Sequence, residues 1–283
     1  MYQTPSRRPQ YRQPQPSQQP ASLLHKLMTR KEFLLTLGAL LIGAAAFAFF
    51  EHHHSNKPMI TNSGESNATN NNAGSASTFN KKQYSLDDPN SIWVIVNKPR
   101  PLNPISYVPP DLVIPNVPLR VPGNETMQVR KVVAAALEQL FAAAKADGLQ
   151  LMLASGYRSY AYQVNLYNGY VQNQGQVSAD QASARPGHSE HQTGLAADIE
   201  PTSKKCELDA CFGQLPEGAW LLSNAYRYGF IIRYPADKVP ITGYEYEPWH
   251  IRYIGIPLAA ELHKNNVRTL EEYFDIKGGT SYN

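Results

Sequence analysis

The sequence has few cysteines and a small net charge, and each of these features excludes some classes of protein. It has two cysteines, Cys206 and Cys211, in 283 residues. A single C-x4-C pair does not make a zinc ribbon but fits a local disulfide in an oxidising compartment. A formal net charge of +3 is too small to indicate a nucleic-acid partner. The chain also lacks HExxH, the motif in which one helix presents two zinc-binding histidines.

The N-terminal third differs in composition from the rest of the chain. Pro, Asn, Gln and Ser crowd it, and such a segment cannot build a core. Residues 33–50 are the exception, because they form an uncharged apolar run near the minimum length of a membrane-spanning helix. Basic residues precede this run, so the positive-inside rule predicts a cytoplasmic tail at 1–32, with anionic lipid as its partner, and a transmembrane anchor at 33–50. The remainder would then be extracytoplasmic; a cleaved signal peptide is the alternative.

Beyond the anchor, we expect a linker followed by one folded domain. Residues 51–90 are polar and poor in large apolar side chains, which predicts a disordered tether. The folded domain is predicted over 91–276, with a candidate strand at Trp93–Val96 and an extended, proline-rich arm at Pro99–Pro122. Residues 277–283 are expected to be disordered.

Apolar periodicity predicts the elements of this domain. The spacing over Glu125–Asp147 is helical and ends at a glycine, so we expect the main core helix there. Further strands and helices are predicted from alternation, capping residues and apolar spacing. The strands are Leu149–Ala154 and Phe230–Tyr234, and the helices are 159–174, 179–184, 217–228 and those within 256–276. The pattern indicates an α+β fold with a small, mainly antiparallel sheet and packed helices.

Two short segments hold the parts of a hydrolytic metal centre. Residues 189–198 contain His191 and Asp198, and the glycine between them permits a bend that can bring both to one ion. Residues 247–250 contain Glu247 and His250. Two imidazoles and a carboxylate leave a position open for water on zinc, and a second carboxylate can act as general base. We expect one zinc ion, although this donor set would also accept other divalent ions.

Three blocks, SGYRS at 155–159, SEHQTGLAAD at 189–198 and EPWHIRYIG at 247–255, carry a family resemblance. They resemble, in the same order, the signature blocks of VanY/LdcB-type D-alanyl-D-alanine carboxypeptidases, which are M15B zinc peptidases. The resemblance covers Trp93 to Ile276. It implies that His191, Asp198 and His250 bind zinc.

The resemblance also implies the roles of the remaining site residues. Glu247 would be the general base, and Arg158 would hold a substrate carboxylate or the charge that develops on the scissile carbonyl. Gln163 and Ser189 would contact the peptide, and Trp249 would form an apolar wall of the cleft or pack in the core. The implied function is removal of the terminal D-alanine from peptidoglycan stem peptides outside the membrane, and we expect a monomer.

Alternatives stay open for both the residues and the reaction. His188 competes with His191 and is expected at the rim, and Glu245 is a weaker candidate for the base. Glu190 and Glu200 are expected at the surface or behind the ligands. The reaction could be that of an L,D-carboxypeptidase on tetrapeptide stems, a dipeptidase or an endopeptidase. A non-catalytic wall-binding module is the alternative from another class, but a pure binder has no use for a general base.

Overall fold

Two antiparallel sheets organise the computed structural model, which describes residues 79–282. The small sheet pairs Leu112–Val113 (β1) with Val129–Arg130 (β2). The main sheet contains Leu151–Ser155 (β3), Ala196–Pro201 (β4), Phe230–Tyr234 (β5) and Glu247–Tyr253 (β6). Its strand order is β3-β4-β6-β5, with every neighbouring pair antiparallel. Together with the helices, these sheets confirm the predicted α+β class.

Six α-helices accompany the sheets in the described part of the chain. They are Lys131–Ala146 (α1), Tyr160–Ala182 (α2), Pro216–Asn224 (α3), Val239–Thr242 (α4), Ile256–Lys264 (α5) and Leu270–Phe274 (α6). Short 3-10 helices lie at Glu125–Met127, Glu190–Thr193, Ala210–Gln214, Ala225–Tyr228 and Ala236–Lys238. None of the helices within 79–282 is long and apolar enough to cross a membrane. The predicted tail at 1–32 and anchor at 33–50 lie outside the described residues.

The main sheet has an apolar face and a polar face, and this asymmetry positions the site. Side chains alternate along a strand, so residues two apart share a face. Ala197 of β4 and Ile251 of β6 are buried in the main apolar cluster, into which α1 packs its apolar stripe. The neighbouring residues Asp198 and His250 therefore project from the opposite face.

The structure corrects three boundaries drawn from the sequence. Trp93–Val96 is buried but forms no strand, because its backbone is held in turns such as the bond from Val94 N to Ser91 O. The predicted helices at 159–174 and 179–184 are merged in α2, with non-helical backbone only at Gly175. Order also extends past the predicted domain ends, since the Phe79 ring stacks on Trp93 and residues 277–282 pack on the domain.

Candidate metal centre and catalytic cleft

Asp198 and His250 are brought together by strand register. They are direct partners across β4 and β6, and such cross-strand pairs place their side chains side by side on one face. His191 comes from the 3-10 helix just before β4, and Gly194, with a left-handed φ of 66°, makes the turn between them. His191 Nε2 lies 3.3 Å from Asp198 Oδ2, and His250 Nδ1 lies 3.2 Å from Asp198 Oδ1.

These three buried side chains fit a metal ion. One donor atom from each lies within 4.8 Å of the others. His191 Nδ1 donates to the Gly156 carbonyl oxygen at 2.6 Å, so the lone pair of this imidazole is on Nε2. That Nε2 and Asp198 Oδ1 are buried and make no hydrogen bond. Because unsatisfied buried polar atoms are costly, a divalent cation bound between them would complete the site.

Burial and neighbouring charges shift the pKa values of the two histidines in opposite directions. Burial lowers the pKa of His191 to about 4, and the nearby Arg158 cation acts in the same direction. Burial alone would also lower the pKa of His250, but the adjacent carboxylates of Asp198 and Glu190 raise it to about 9. The pKa of Asp198 lies well below its usual range, because His191 and His250 outweigh the effect of burial. The aspartate is therefore an anion, as a metal ligand must be.

Glu190 supports His250 from behind. Its Oε2 lies 3.6 Å from His250 Nε2, on the far side of the ring from Asp198. Its Oε1 accepts 2.8 Å hydrogen bonds from both Arg233 and Arg252. Burial opposes ionisation of Glu190, but these two guanidinium groups hold its pKa well below the usual range. A carboxylate behind a histidine ligand fixes the ring orientation, so Glu190 belongs to the site although it does not reach the metal position.

Glu247 reaches the same face because β6 is irregular. Residues 247 and 250 of a regular strand would point to opposite faces. A register shift between the pairs Ile232–Ile251 and Tyr234–Glu247 turns Glu247 toward the site, where its Oε2 is 3.5 Å from His250 Nδ1. Burial raises the pKa of Glu247 to about 7. A carboxyl group with such a pKa can both accept and return a proton near neutral pH.

Arg158 and two of the other predicted contact residues line the same cleft. Arg158 follows β3, and its backbone N–H donates to the His191 carbonyl oxygen at 3.2 Å. Gln163 and Ser189 lie with it around the cleft. Trp249 does not. It is next to His250 in β6 and so points to the opposite face of the sheet, where it packs against the main apolar cluster. The prediction of Trp249 as a cleft wall is therefore corrected to its packing alternative.

The competing residues lie elsewhere or have other partners. His188 Nδ1 lies 3.1 Å from the Asn97 carbonyl oxygen, and Glu245 is exposed. Glu200 is buried and accepts a 3.1 Å bond from Arg120. Several cleft residues were not found from the sequence, because a helix, a strand and loops from separate parts of the chain supply them. They are Tyr170, Ser183, Ala184, Tyr234 and Tyr244.

The disulfide confirms the predicted cysteine pairing and shapes the loop beside β6. Cys206 and Cys211 are bonded, with Cα atoms 5.6 Å apart. Just after it, Gly213 packs so closely on Tyr246 and Pro248 that a Cβ atom would overlap the Tyr246 hydroxyl. The loop thus contacts the two residues that flank Glu247.

Comparison with known proteins identifies the family. A family model described as VanY, D-alanyl-D-alanine carboxypeptidase, matches residues 126–256. YodJ of Bacillus subtilis strain 168, a candidate carboxypeptidase by name, is 47% identical over 191 residues, which cover 67% of this chain and 69% of YodJ. The solved structure of the LD-carboxypeptidase LdcB is 47% identical with a TM-score of 0.63, over 67% of this chain and 89% of LdcB. A mutant of the vancomycin-resistance D,D-pentapeptidase VanY, in complex with Zn(II), is 34% identical with a TM-score of 0.53, over 64% of this chain and 97% of that one.

Proposed function

Because this chain belongs to the VanY family of D-alanyl-D-alanine carboxypeptidases, we propose that it is a zinc-dependent D,D-carboxypeptidase that removes the terminal D-alanine from peptidoglycan stem peptides. The single observation that carries the proposal is the convergence of His191, Asp198 and His250 on one point beside Glu247. The family assignment makes the chain a peptidase, and the zinc-bound relative supports zinc as the metal.

His191 through Nε2, Asp198, and His250 through Nδ1 would hold one zinc ion. When bound, zinc lowers the pKa of a coordinated water from about 15.7 to near 7 and polarises the scissile carbonyl. Glu247 accepts the proton that the attacking water loses and returns it to the leaving amine, a cycle that its raised pKa favours. The Glu190 carboxylate, 3.6 Å from His250 Nε2, favours one orientation of the ring through its charge.

Arg158, Gln163 and Ser189 orient the peptide. The Arg158 guanidinium suits the substrate's C-terminal carboxylate, because its planar fork can make two parallel hydrogen bonds. The Gln163 amide nitrogen is already used by Ser183 and Ala184, whereas its Oε1 is buried without a hydrogen bond and can accept from a substrate N–H. Ser189 is buried at the start of the 3-10 helix and lines the cleft.

A second candidate is an L,D-carboxypeptidase that acts on tetrapeptide stems. One observation favours it: the LdcB structure shares 47% identity with this chain, against 34% for the zinc-bound D,D-pentapeptidase. Both reactions release a terminal D-alanine and need the same metal centre and base. They differ in the configuration of the residue before the scissile bond.

The proposed location follows from the N-terminal pattern. A cytoplasmic tail at 1–32, a membrane anchor at 33–50 and a tether between the anchor and Phe79 would place the folded domain outside the membrane as a monomer. The Cys206–Cys211 disulfide supports an oxidising compartment. Protease accessibility on intact cells would test this arrangement, since a cytoplasmic domain would be protected from added protease.

The test of function compares pentapeptide and tetrapeptide muropeptides as substrates of the zinc-loaded protein, with products identified by mass. Loss of one alanine from the pentapeptide alone, stopped by a chelator and restored by zinc, would support the D,D-carboxypeptidase. Loss of alanine from the tetrapeptide would assign the L,D reaction. Glu247→Gln should bind zinc but lose turnover, whereas the control Glu245→Gln, an exposed neighbour, should retain turnover. A folded, zinc-loaded protein that cleaves neither peptide would contradict the proposal.

A further inference from the structure

The segment 277–282, expected from the sequence to be disordered, lies against α4 and the loop that joins it to β6. Gly279 N donates to the Ile241 carbonyl oxygen at 2.7 Å. A Cβ atom at Gly278 would overlap that same carbonyl, and one at Gly243 would overlap the Gly279 carbonyl. Only glycine permits this close approach of two backbones. The glycines therefore bring the segment to a defined place beside the cleft.

Tyr282, at the end of this segment, packs on the outer side of the cleft wall. Its hydroxyl accepts a 3.1 Å hydrogen bond from Arg185 N and lies 3.4 Å from the Tyr244 hydroxyl. The Arg185 guanidinium lies over the Tyr282 ring, 4.2 Å from its centroid, and the His188 ring meets it edge-on at 5.0 Å. These contacts hold the tyrosine from several directions.

The peptide unit between Ala184 and Arg185 is held from both sides. On the cleft side, the Ala184 carbonyl oxygen accepts a 2.8 Å bond from Gln163 Nε2. On the outer side, the Arg185 N–H of the same unit donates to Tyr282. Gln163 and Ala184 both line the cleft. The Tyr282 hydroxyl thus binds the same planar peptide group that Gln163 binds from the cleft side.

A second route leads from Tyr282 to the metal centre. Tyr282 contacts Tyr244 through the hydroxyls, the Tyr244 ring lies 4.9 Å from that of Tyr234, and the Tyr234 ring lies 4.8 Å from that of His250. Tyr234 and Tyr244 are buried and line the cleft. Tyr282 therefore contacts two parts of the wall, at Arg185 and at Tyr244, and is not itself among the residues that line the cleft.

We propose that Tyr282 is a positioning residue of the carboxypeptidase: its hydroxyl fixes the Ala184–Arg185 peptide, and through it Gln163, in the geometry that binds the stem peptide. This inference rests on the proposed function and adds a requirement for the segment 277–282. Because Tyr282 reaches Gln163 through one peptide unit, but His250 only through the rings of Tyr244 and Tyr234, its loss affects binding more than turnover.

The test is Tyr282→Phe, which keeps the ring contacts and removes the hydroxyl. Loss of one hydrogen bond corresponds to roughly a two- to tenfold change in an equilibrium, so KM should rise by that factor while kcat and bound zinc stay the same. The Arg185 amide should exchange its hydrogen faster by a similar factor. Gly278→Ala should reproduce both effects, because the added methyl group displaces the segment. Tyr84→Phe, at a tyrosine packed on Trp93, is the matched control and should change neither.

Unchanged KM and unchanged Arg185 exchange in Tyr282→Phe would overturn the proposal. So would a lower unfolding temperature with KM unchanged, since that result describes a purely structural contact. If the parent protein cleaves neither stem peptide, the proposed function fails. The exchange of the Arg185 amide then still decides whether Tyr282 holds the cleft wall.

Discussion

Replacing Glu190 by glutamine should weaken both the fold and zinc binding, although Glu190 is not a predicted metal ligand. Glu190 is fully buried between Arg233 and Arg252, which it contacts at 2.8 Å each. Arg233 has a second partner in Glu271, at 2.7 Å, whereas within residues 79–282 Glu190 is the only carboxylate in ion-pair contact with Arg252. Glutamine is nearly isosteric, so the change removes charge without leaving a cavity.

The expected loss of folding stability follows from the burial of this ion pair. Removing one partner of a buried ion pair leaves an uncompensated charge and costs about 3–5 kcal/mol. An ordinary domain has about 5–15 kcal/mol of stability, so the variant should remain folded but be clearly weakened. The neutral amide also holds the His250 ring less firmly, and the loss of such support typically lowers metal affinity about 10- to 100-fold.

Urea unfolding of the metal-free protein and competition with a chromophoric chelator measure the two effects separately. Glu272→Gln is the control, because the same substitution there removes a half-exposed ion pair with Lys238, worth about 0–1 kcal/mol. If Glu190→Gln unfolded at the same urea concentration as the control and bound zinc as tightly as the parent, the role assigned to this carboxylate would be refuted.

Three further outcomes follow from the structure. Arg158→Lys should raise KM by about tenfold or more, because a single ammonium cannot reproduce the bidentate fork; steady-state kinetics with the cleaved muropeptide measures this. Cys206→Ser should lower the free energy of unfolding by about 2 kcal/mol, read from urea denaturation, since the disulfide closes a short loop. Burial opposes ionisation of Glu271, but Arg233 lowers its pKa below the usual value. The stability that this ion pair contributes is fully present above the pKa of Glu271 in the unfolded chain, and it should be lost as pH falls through the lower pKa of the folded protein. Thermal unfolding measured between about pH 6 and 3 would detect the loss.

The sequence predicted the parts of the site that lie in short segments. His191 and Asp198 are seven residues apart with a glycine between them, and the structure joins them through a 3-10 helix and the start of β4. The main helix and the disulfide were also predicted, because each depends on local spacing. These features need no knowledge of which strands become neighbours.

The parts that were missed depend on contacts between distant segments. Glu190 is expected at the surface or behind the ligands, and it does lie behind His250, but its partners Arg233 and Arg252 are 43 and 62 residues away and could not be predicted. Tyr282 meets Arg185 because glycines allow the segment 277–282 to approach α4 and the loop that follows it. The sequence predicts disorder there, because a short terminal segment carries no local signal of what it packs against.

The register of β6 decides whether the site exists at all. His250 faces Asp198, while its neighbours Trp249 and Ile251 pack on the apolar side. A slip of one residue would exchange these faces and put an indole where the imidazole must be. Regular alternation would nevertheless turn Glu247 into the core, so the irregularity in β6 is needed as well as the register. The base and the third ligand share one strand only because that strand is irregular between them.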